Sequence, residues 1–275
     1  MNDNSSLKPS PLFIDSHCHF DFAQFDEDRQ QVWQECINSG VIAAIVPGVD
    51  VSQWRKAASL CQQLEGLYYG AGIHPWWVDE FLNTYPQGLA ALQEKIVREV
   101  QSPQCIAIGE CGLDKTINTP FKVQLEIFEY QLKLAYDLNK PVILHSRKAH
   151  NELLAILKKV QPARGGVIHG FSGSTELAKQ YWSLGCYLGV GGTITYSRAN
   201  KTRAAIKSMP LESLLLETDA PDMPIMGKQG QRNSPAYIPM IAQALADLKN
   251  ESLPTIARQT KNNTQNLFGM SELAL

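Results

Sequence analysis

Short apolar runs alternate along the chain with longer segments in which apolar residues recur every three or four positions. The continuous run at 41–46 ends at Pro47-Gly48, which is typical of a strand buried on both faces. The clearest helical stripe begins at Phe121 and stops before Lys140-Pro141. Eight strands are predicted, the first within 13–19 and the others at 41–46, 67–73, 105–109, 142–144, 167–168, 186–190 and 214–218. The predicted helices are 28–39, 52–64, 86–101, 121–138, 151–160, 175–184, 199–208, 235–248 and 253–267.

This alternation of strands and helices predicts an α/β protein with a parallel sheet. A count of eight strands favours a closed (β/α)8 TIM barrel in a single domain. A doubly wound open sheet is the alternative, and it is disfavoured because no Gly-x-Gly-x-x-Gly follows the first strand. No linker rich in Pro, Gly or Ser divides the chain. We therefore expect one barrel over residues 12–275, preceded by a mobile polar tail at 1–11.

Composition narrows the possible classes of function. The 275 residues are 44% hydrophobic and 19% charged, as in ordinary globular proteins, and the net charge is -2. Because no basic field is present, any nucleic-acid contact must be local to a site. Six cysteines without a Cys-x-x-Cys pair indicate reduced core residues of a cytoplasmic protein. No signal peptide and no membrane-spanning run is predicted, and no protein partner is expected.

The segment from Phe13 to His19 ends in two histidines one residue apart. Side chains alternate between the two faces of a strand, so Asp15, His17 and His19 would project together. A His-x-His pair at a strand end supplies two ligands to a transition metal. The pair alone fits hydrogen-bonded turn histidines equally well, so more distant partners must decide.

Chemically active residues recur at the predicted carboxyl ends of the strands, which is where TIM barrels place their active sites. Five of the six histidines fall there, together with two carboxylates. Histidine nitrogens combined with carboxylate oxygens predict a metal site, and the set is large enough for two ions that share a bridging carboxylate. In strand order the residues are His17, His19, His74, Glu110, His145, His169 and Asp219.

Glu110 is the natural bridge in this set. It continues the predicted strand with the inward parity of Ile106 and Ile108, and its two oxygens can serve two ions. Asp219 shares its parity with Glu217, so both are expected to point inward. We interpret Glu217 as a buried, hydrogen-bonded residue that supports the ligands, with a ligand role as the alternative.

Seven short motifs span nearly the whole chain in the order of one known family, and they resemble the TatD family of metal-dependent deoxyribonucleases, within the amidohydrolase-like barrels. The resemblance implies a metal-dependent hydrolase barrel whose ligands are His17, His19, Glu110, His145, His169 and Asp219. The segment at 115–120 departs from the family pattern. The motifs are Asp15-Ser16-His17-Cys18-His19, Gly72-Ile73-His74-Pro75, Ile108-Gly109-Glu110-Cys111-Gly112-Leu113-Asp114, Pro141-Val142-Ile143-Leu144-His145-Ser146-Arg147, His169-Gly170-Phe171-Ser172-Gly173, Glu217-Thr218-Asp219-Ala220-Pro221 and Arg232-Asn233-Ser234-Pro235.

Three further residues are candidate substrate contacts. His74 is expected to bind a substrate phosphate, with completion of a metal shell as the alternative. Arg147 offers a planar guanidinium suited to phosphate. Arg232 lies in a loop at 222–234 that is long enough to guide substrate, although Arg232 and Asn233 could instead fix the start of the next helix.

These observations predict a divalent-metal-dependent hydrolase of phosphodiester bonds. We expect a deoxyribonuclease that acts near strand ends by metal-activated water, with Asp219 and Glu110 as catalytic residues. The resemblance supplies DNA ends or short oligonucleotides as substrate. One or two ions are expected. Four histidines favour zinc, and the carboxylates are compatible with magnesium or manganese.

Two alternatives stay open. The same ligands can activate water against a carbonyl, so the chain could be an amidohydrolase acting on a cyclic amide or ester. Several such enzymes use a carbamylated lysine as the bridge, whereas this chain has Glu110 at that position. A non-catalytic binding barrel is the other alternative, and the complete ligand set argues against it.

Overall fold

The computed structural model describes residues 11–270, so the predicted tail at 1–11 lies, apart from Pro11, outside the described residues. Eight parallel strands form one sheet, and each strand pairs with the next along the chain. Parallel neighbours in chain order require a crossover connection after each strand, which is usually a helix. The strands are β1 (Phe13–Asp15), β2 (Val41–Val46), β3 (Leu67–Ala71), β4 (Cys105–Asp114), β5 (Val142–Arg147), β6 (Gly166–Ile168), β7 (Cys186–Val190) and β8 (Leu214–Leu216).

Helices connect the strands, and the predicted alternation is confirmed apart from one helix. The segment Val78–Thr84 forms a seven-residue helix with only Val78 and Phe81 buried, too short to give a recognisable stripe. Within 11–270, no helix is long and apolar enough to cross a membrane. The helices are α1 (Arg29–Asn38), α2 (Val51–Gln63), α3 (Val78–Thr84), α4 (Leu89–Glu99), α5 (Phe121–Asp137), α6 (His150–Lys159), α7 (Thr175–Ser183), α8 (Asn200–Ser208), α9 (Ile238–Lys249) and α10 (Leu253–Phe268).

The last strand lies beside the first and closes the barrel. The backbone N–H of Ser16 donates to Leu216 O over 2.9 Å, and the N–H of Asp219 donates to His17 O over 2.9 Å. Both bonds join the carboxyl ends of β1 and β8. The predicted (β/α)8 TIM barrel is therefore confirmed, and the open-sheet alternative is wrong.

Two apolar clusters stabilise this architecture. The larger one fills the layer between sheet and helices, where α5 contributes Phe128 and Leu132. The smaller one fills the inside of the barrel, and residues at the end of α10 pack against it. Burying each large side chain contributes roughly 1.5 to 3 kcal/mol. The main members of the inner cluster are Ile14, Ile45, Ile106, Ile143, Val167, Leu215, Leu267, Phe268 and Met270.

Candidate metal centre

The two histidines after β1 lie in a buried segment just beyond the strand, because β1 ends at Asp15. Backbone bonds from Cys18 N to Ile45 O and from His19 N to Ala220 O hold this segment across the mouth. Asp15 does not join the histidines as strand alternation predicted. Its Oδ1 accepts the N–H groups of His17 and Thr218, so it fixes the segment instead.

One carboxylate oxygen of Glu110 faces the histidines after β1. Glu110 Oε2 lies 3.4 Å from His17 Nε2 and 3.6 Å from His19 Nε2. Asp219 Oδ1 lies at the same distances, 3.4 and 3.6 Å, from these two nitrogens. Two imidazoles and two carboxylate oxygens therefore converge on one point.

The other oxygen of Glu110 faces a second group of histidines. Glu110 Oε1 lies 2.9 Å from His169 Nε2, 3.0 Å from His145 Nδ1 and 3.5 Å from His74 Nε2. His145 Nδ1 and His169 Nε2 are themselves 3.0 Å apart. Glu110 thus stands between two separate donor groups, one at each of its oxygens.

A register shift in β4 aims Glu110 at the centre. Ile108 pairs with Val142 and Cys111 with Leu144, so Gly109 and Glu110 both lie opposite Ile143. Ile108 packs in the outer cluster, which shows that the predicted shared parity of Ile108 and Glu110 was wrong. Gly109 has φ of +132°, and a Cβ there would lie 2.5 Å from Ile143 O. The close approach of the Gly109 backbone to Ile143 therefore requires glycine.

The two acidic residues after β8 occupy different depths. The side chain of Asp219 is 20% exposed, whereas Glu217 is fully buried. Glu217 Oε1 accepts the N–H of Gly170, as expected for a supporting residue, while its Oε2 has no hydrogen-bond partner. Burial raises the pKa of Glu217 to about 8. Glu217 therefore supports the site through its bond to Gly170 and also lies within ligand range of His17 and His169.

The pKa values of the histidines in the centre shift in opposite directions. Burial lowers the pKa of both His17 and His19 to about 4, which leaves their rings neutral. Burial also acts on His169, but Glu110 and Asp219 outweigh it and raise the pKa of that ring to about 10. Burial would raise the pKa of Glu110, yet the surrounding histidines hold it well below its usual range. Glu110 is therefore an anion, stabilised chiefly by the His169 ring.

These donors fit a divalent metal. Buried ring nitrogens without a hydrogen-bond partner include both nitrogens of His17, His19 Nδ1 and His145 Nε2. Leaving such atoms unpaired costs free energy, which coordination of a cation would recover. Neutral imidazole and carboxylate are ligands for zinc and similar ions. The groups whose ligand atoms lie within 4.8 Å of one another are His17, His19 and Glu110; His74, Glu110 and His145; and His17, His169 and Glu217.

A cleft of about 120 Å³ opens onto the centre, and part of its wall is aromatic. Trp76 and Trp77 come from the turn after β3 and Phe22 from the turn after β1. Sequence reasoning missed all three residues. The signal for Trp76 and Trp77 was their position directly after His74-Pro75, since residues adjoining a site residue often line the same pocket.

The two arginines predicted to contact substrate are not among the residues that line this cleft. Arg147 is exposed at the end of β5. Arg232 donates to both carboxylate oxygens of Asp28, over 2.8 and 2.6 Å, and its guanidinium lies over the Phe25 ring. The neighbouring Asn233 is buried and donates to Thr218 O and Asp222 O, which fixes the loop at 222–234. Of the predicted substrate residues, His74 alone is brought into the centre.

Comparisons with protein families, curated relatives and solved structures all point to one family. Residues 14–269 match the family of TatD related DNases. The uncharacterized metal-dependent hydrolase YjjV of Escherichia coli K12 is 42% identical over 259 residues, which are 94% of this chain and 98% of the relative. Its crystal structure superimposes with a TM-score of 0.87 over the same shares. The 3'-5' ssDNA/RNA exonuclease TatD of the same strain is 32% identical over 90% of this chain and 96% of its own.

These matches cover the strands, the turns that carry the candidate ligands and the closing helices. They confirm the family resemblance seen in the motifs. With a match over 14–269 and relatives that align over nearly their whole length, the chain belongs to the TatD-related DNase family and is a metal-dependent hydrolase.

Proposed function

We propose that the chain hydrolyses phosphodiester bonds near the ends of single-stranded nucleic acid. The observation that carries the proposal is the position of Glu110, whose two oxygens each face a separate group of histidines. A carboxylate shared in this way suits a centre for two divalent ions, the arrangement that serves in-line displacement at phosphorus. The TatD relative, named an exonuclease of ssDNA and RNA, supports the nucleic-acid substrate.

The ligands we propose fall into two groups around Glu110. His17, His19 and Asp219 lie at Oε2, and His145 and His169 lie at Oε1. When bound, divalent ions would neutralise charge on the phosphoryl oxygens and lower the pKa of water. Because four imidazole nitrogens dominate the set, we propose zinc, with manganese or magnesium as alternatives to test.

Asp219 is the proposed proton acceptor. Its side chain is 20% exposed at the cleft, whereas Glu110 is 2% exposed. Burial and the Glu110 charge raise the pKa of Asp219 above its ordinary value, although His169 and His19 oppose this. A carboxylate that is both accessible and more basic than usual is suited to orient water and take its proton.

His74 is the proposed phosphate contact. Its Nδ1 accepts the N–H of Trp76 over 3.2 Å, so the neutral ring carries its proton on Nε2. Burial holds the pKa of His74 well below its usual range, which keeps the ring neutral. An Nε2–H group is a donor for a phosphoryl oxygen and does not offer a lone pair to a metal. The hydrogen bond therefore favours phosphate over the metal shell.

The six cysteines support the cytoplasm as the proposed compartment. All are buried and none forms a disulfide. Burial raises the pKa of all six thiols, for example that of Cys61 to about 12, so these side chains are unreactive packing residues.

A substrate panel tests the proposed function. Apo protein would be reconstituted with zinc, manganese or magnesium and offered a linear single-stranded oligonucleotide, the same sequence closed into a circle, and a lactone. We expect metal-dependent release of nucleotides from the linear strand and little cutting of the circle. Hydrolysis of the lactone without hydrolysis of either DNA would assign the chain to the amidohydrolase alternative.

A further inference from the structure

The mouth of the cleft carries a large indole that the ligand set does not use. Trp76 is 53% exposed, yet it lies beside the buried centre, with its ring centroid 5.5 Å from that of His74. Aromatic side chains dominate binding energetics because they offer a broad apolar face in few conformations. An exposed indole next to a reaction centre is therefore a candidate contact for substrate.

Trp76 is held in one orientation. Its Nε1–H donates to Asp114 Oδ2 over 2.8 Å, and Asp114 is itself fully buried. Asp114 Oδ1 accepts the N–H and the hydroxyl of Thr116, so the carboxylate is anchored at both oxygens. An exposed apolar ring restrained by a buried acceptor loses little further freedom when a ligand stacks on it.

A second indole extends this surface. Trp77 stacks with Trp76 at 6.0 Å between centroids and an interplanar angle of 26°, and it also meets the His74 ring edge-on at 5.5 Å. Both indoles line the same cleft as Glu110 and His74. The two rings therefore form a continuous aromatic surface, which we call the indole ledge, from the centre to the outside.

We propose that the indole ledge binds a nucleobase of the terminal nucleotide by stacking on Trp76 while its phosphate lies at His74. This inference rests on the proposed function and adds a residue that determines substrate preference. Every nucleobase has a π-face, so stacking provides affinity without sequence selectivity. It also suits a chain whose 25 basic residues are slightly outnumbered by 27 acidic ones, since such a balance does not favour binding along a long phosphate backbone.

The test is a cycle that crosses Trp76 variants with a base deletion. One substrate is a short single-stranded oligonucleotide, and the other is identical except that both terminal nucleotides are abasic. We expect removal of the bases to lower kcat/KM of the parent by about tenfold, mainly through KM, because a stacked base contributes that order of affinity. In Trp76→Ala the same deletion should change kcat/KM by less than about twofold.

Three variants separate stacking from other effects. Trp76→Phe keeps an aromatic face but loses the bond to Asp114, and it should retain most of the preference for bases. Trp76→Leu keeps apolar surface without a ring and should lose the preference. Tyr136→Ala removes a 58% exposed aromatic side chain from α5, outside the cleft, and should behave as the parent. Metal content, measured on every variant, should match that of the parent.

The outcomes distinguish this inference from the function beneath it. If Trp76→Ala still loses tenfold with the abasic strand, or if Leu preserves the preference as well as Phe, stacking on the ledge is wrong although the nuclease function stands. If the parent hydrolyses neither oligonucleotide with any of the three metals, the proposed function is wrong. The proposed role of the indole ledge, which rests on that function, is then wrong as well.

Discussion

The two ends of the barrel interior are built from opposite chemistry. At the amino end, Phe268 at the end of α10 and Met270 just after it pack against strand residues such as Ile14, and all of these side chains are buried in an apolar cluster. At the carboxyl end, buried positions hold His17 and Glu110, and several ring nitrogens have no partner. The same eight strands therefore enclose an apolar cluster that stabilises the fold at one end and a buried polar cluster that opposes folding at the other.

This difference shows how the fold separates stability from function. Apolar burial at the amino end contributes stability without needing a ligand. Buried imidazoles and carboxylates at the carboxyl end oppose folding unless they are paired, so this end gains most from bound cations. Changes at one end should affect activity and metal content, and changes at the other should affect unfolding free energy.

The largest effect is expected for Glu110→Gln. The amide keeps the size of the side chain but removes the charge that faces both histidine groups, so weaker metal retention should follow. We expect turnover to fall by roughly 10⁴-fold, about 5 kcal/mol of transition-state stabilisation. Elemental analysis and single-strand hydrolysis measure the two losses.

Circular dichroism serves as the control for Glu110→Gln, since the apolar end is untouched and the fold should persist. Hydrolysis at the parent rate with a full complement of metal would show that Glu110 does not bridge. Less than a tenth of an ion per chain in the reconstituted parent would show that these residues do not form a metal centre.

The second effect tests the opposite end through Phe268→Ala. Phe268 is 3% exposed in the inner cluster, so the cavity should lower the free energy of unfolding by about 3 kcal/mol. Metal content and kcat of the folded enzyme should stay unchanged, because the change lies at the far end of the strands. Met240→Ala, at a 51% exposed position on α9, is the matched control and should shift stability by less than about 0.5 kcal/mol. A loss of bound metal in Phe268→Ala would contradict the separation of the two ends.

The contrast between the ends also explains how far the sequence could be interpreted. Apolar runs predicted the strands, and the histidines after them identified the centre, because barrels bring all carboxyl strand ends together. The route by which Glu110 enters depends on the register shift opposite Ile143, which no periodicity in the sequence reveals. The pairing of Arg232 with Asp28 joins residues 204 positions apart, so it too was beyond sequence reasoning. The roles of individual ligands stay predictions.

A third prediction concerns metal removal. A ligand present at a hundred times its dissociation constant stabilises the native state by about 2.7 kcal/mol. For a chain of this length, we expect chelation to lower the melting temperature by roughly 5 to 10 °C. Differential scanning calorimetry before and after dialysis against chelator measures the change, and restored zinc should reverse it. Phe268→Ala should show the same increment as the parent, whereas Glu110→Gln should show a smaller one.

A fourth prediction compares two arginines at the rim. Arg147 is exposed, and Arg232 is already paired with Asp28. We expect Arg147→Ala to raise KM for a linear strand severalfold, because its exposed guanidinium can bind phosphate, and we expect Arg232→Ala to change KM less than twofold. Initial-rate kinetics with one oligonucleotide compare both variants with the parent. A larger KM effect for Arg232→Ala would restore that residue as the substrate contact.

The smallest effect is expected in the salt dependence of binding. Each phosphate neutralised on a single strand contributes a slope of about -0.7 to the plot of log affinity against log salt. The chain carries a net charge of -2, Arg232 is occupied by Asp28, and the Lys228 ammonium lies over the Tyr237 ring. With one to four contacts left, the slope should lie between about -1 and -3. The measurement is a titration of a labelled strand at increasing salt against metal-supplemented Glu110→Gln, in which cutting is expected to be roughly 10⁴-fold slower. A slope steeper than about -5 would show that basic side chains outside the cleft also bind the strand, so that substrate binding is not confined to the carboxyl end of the barrel.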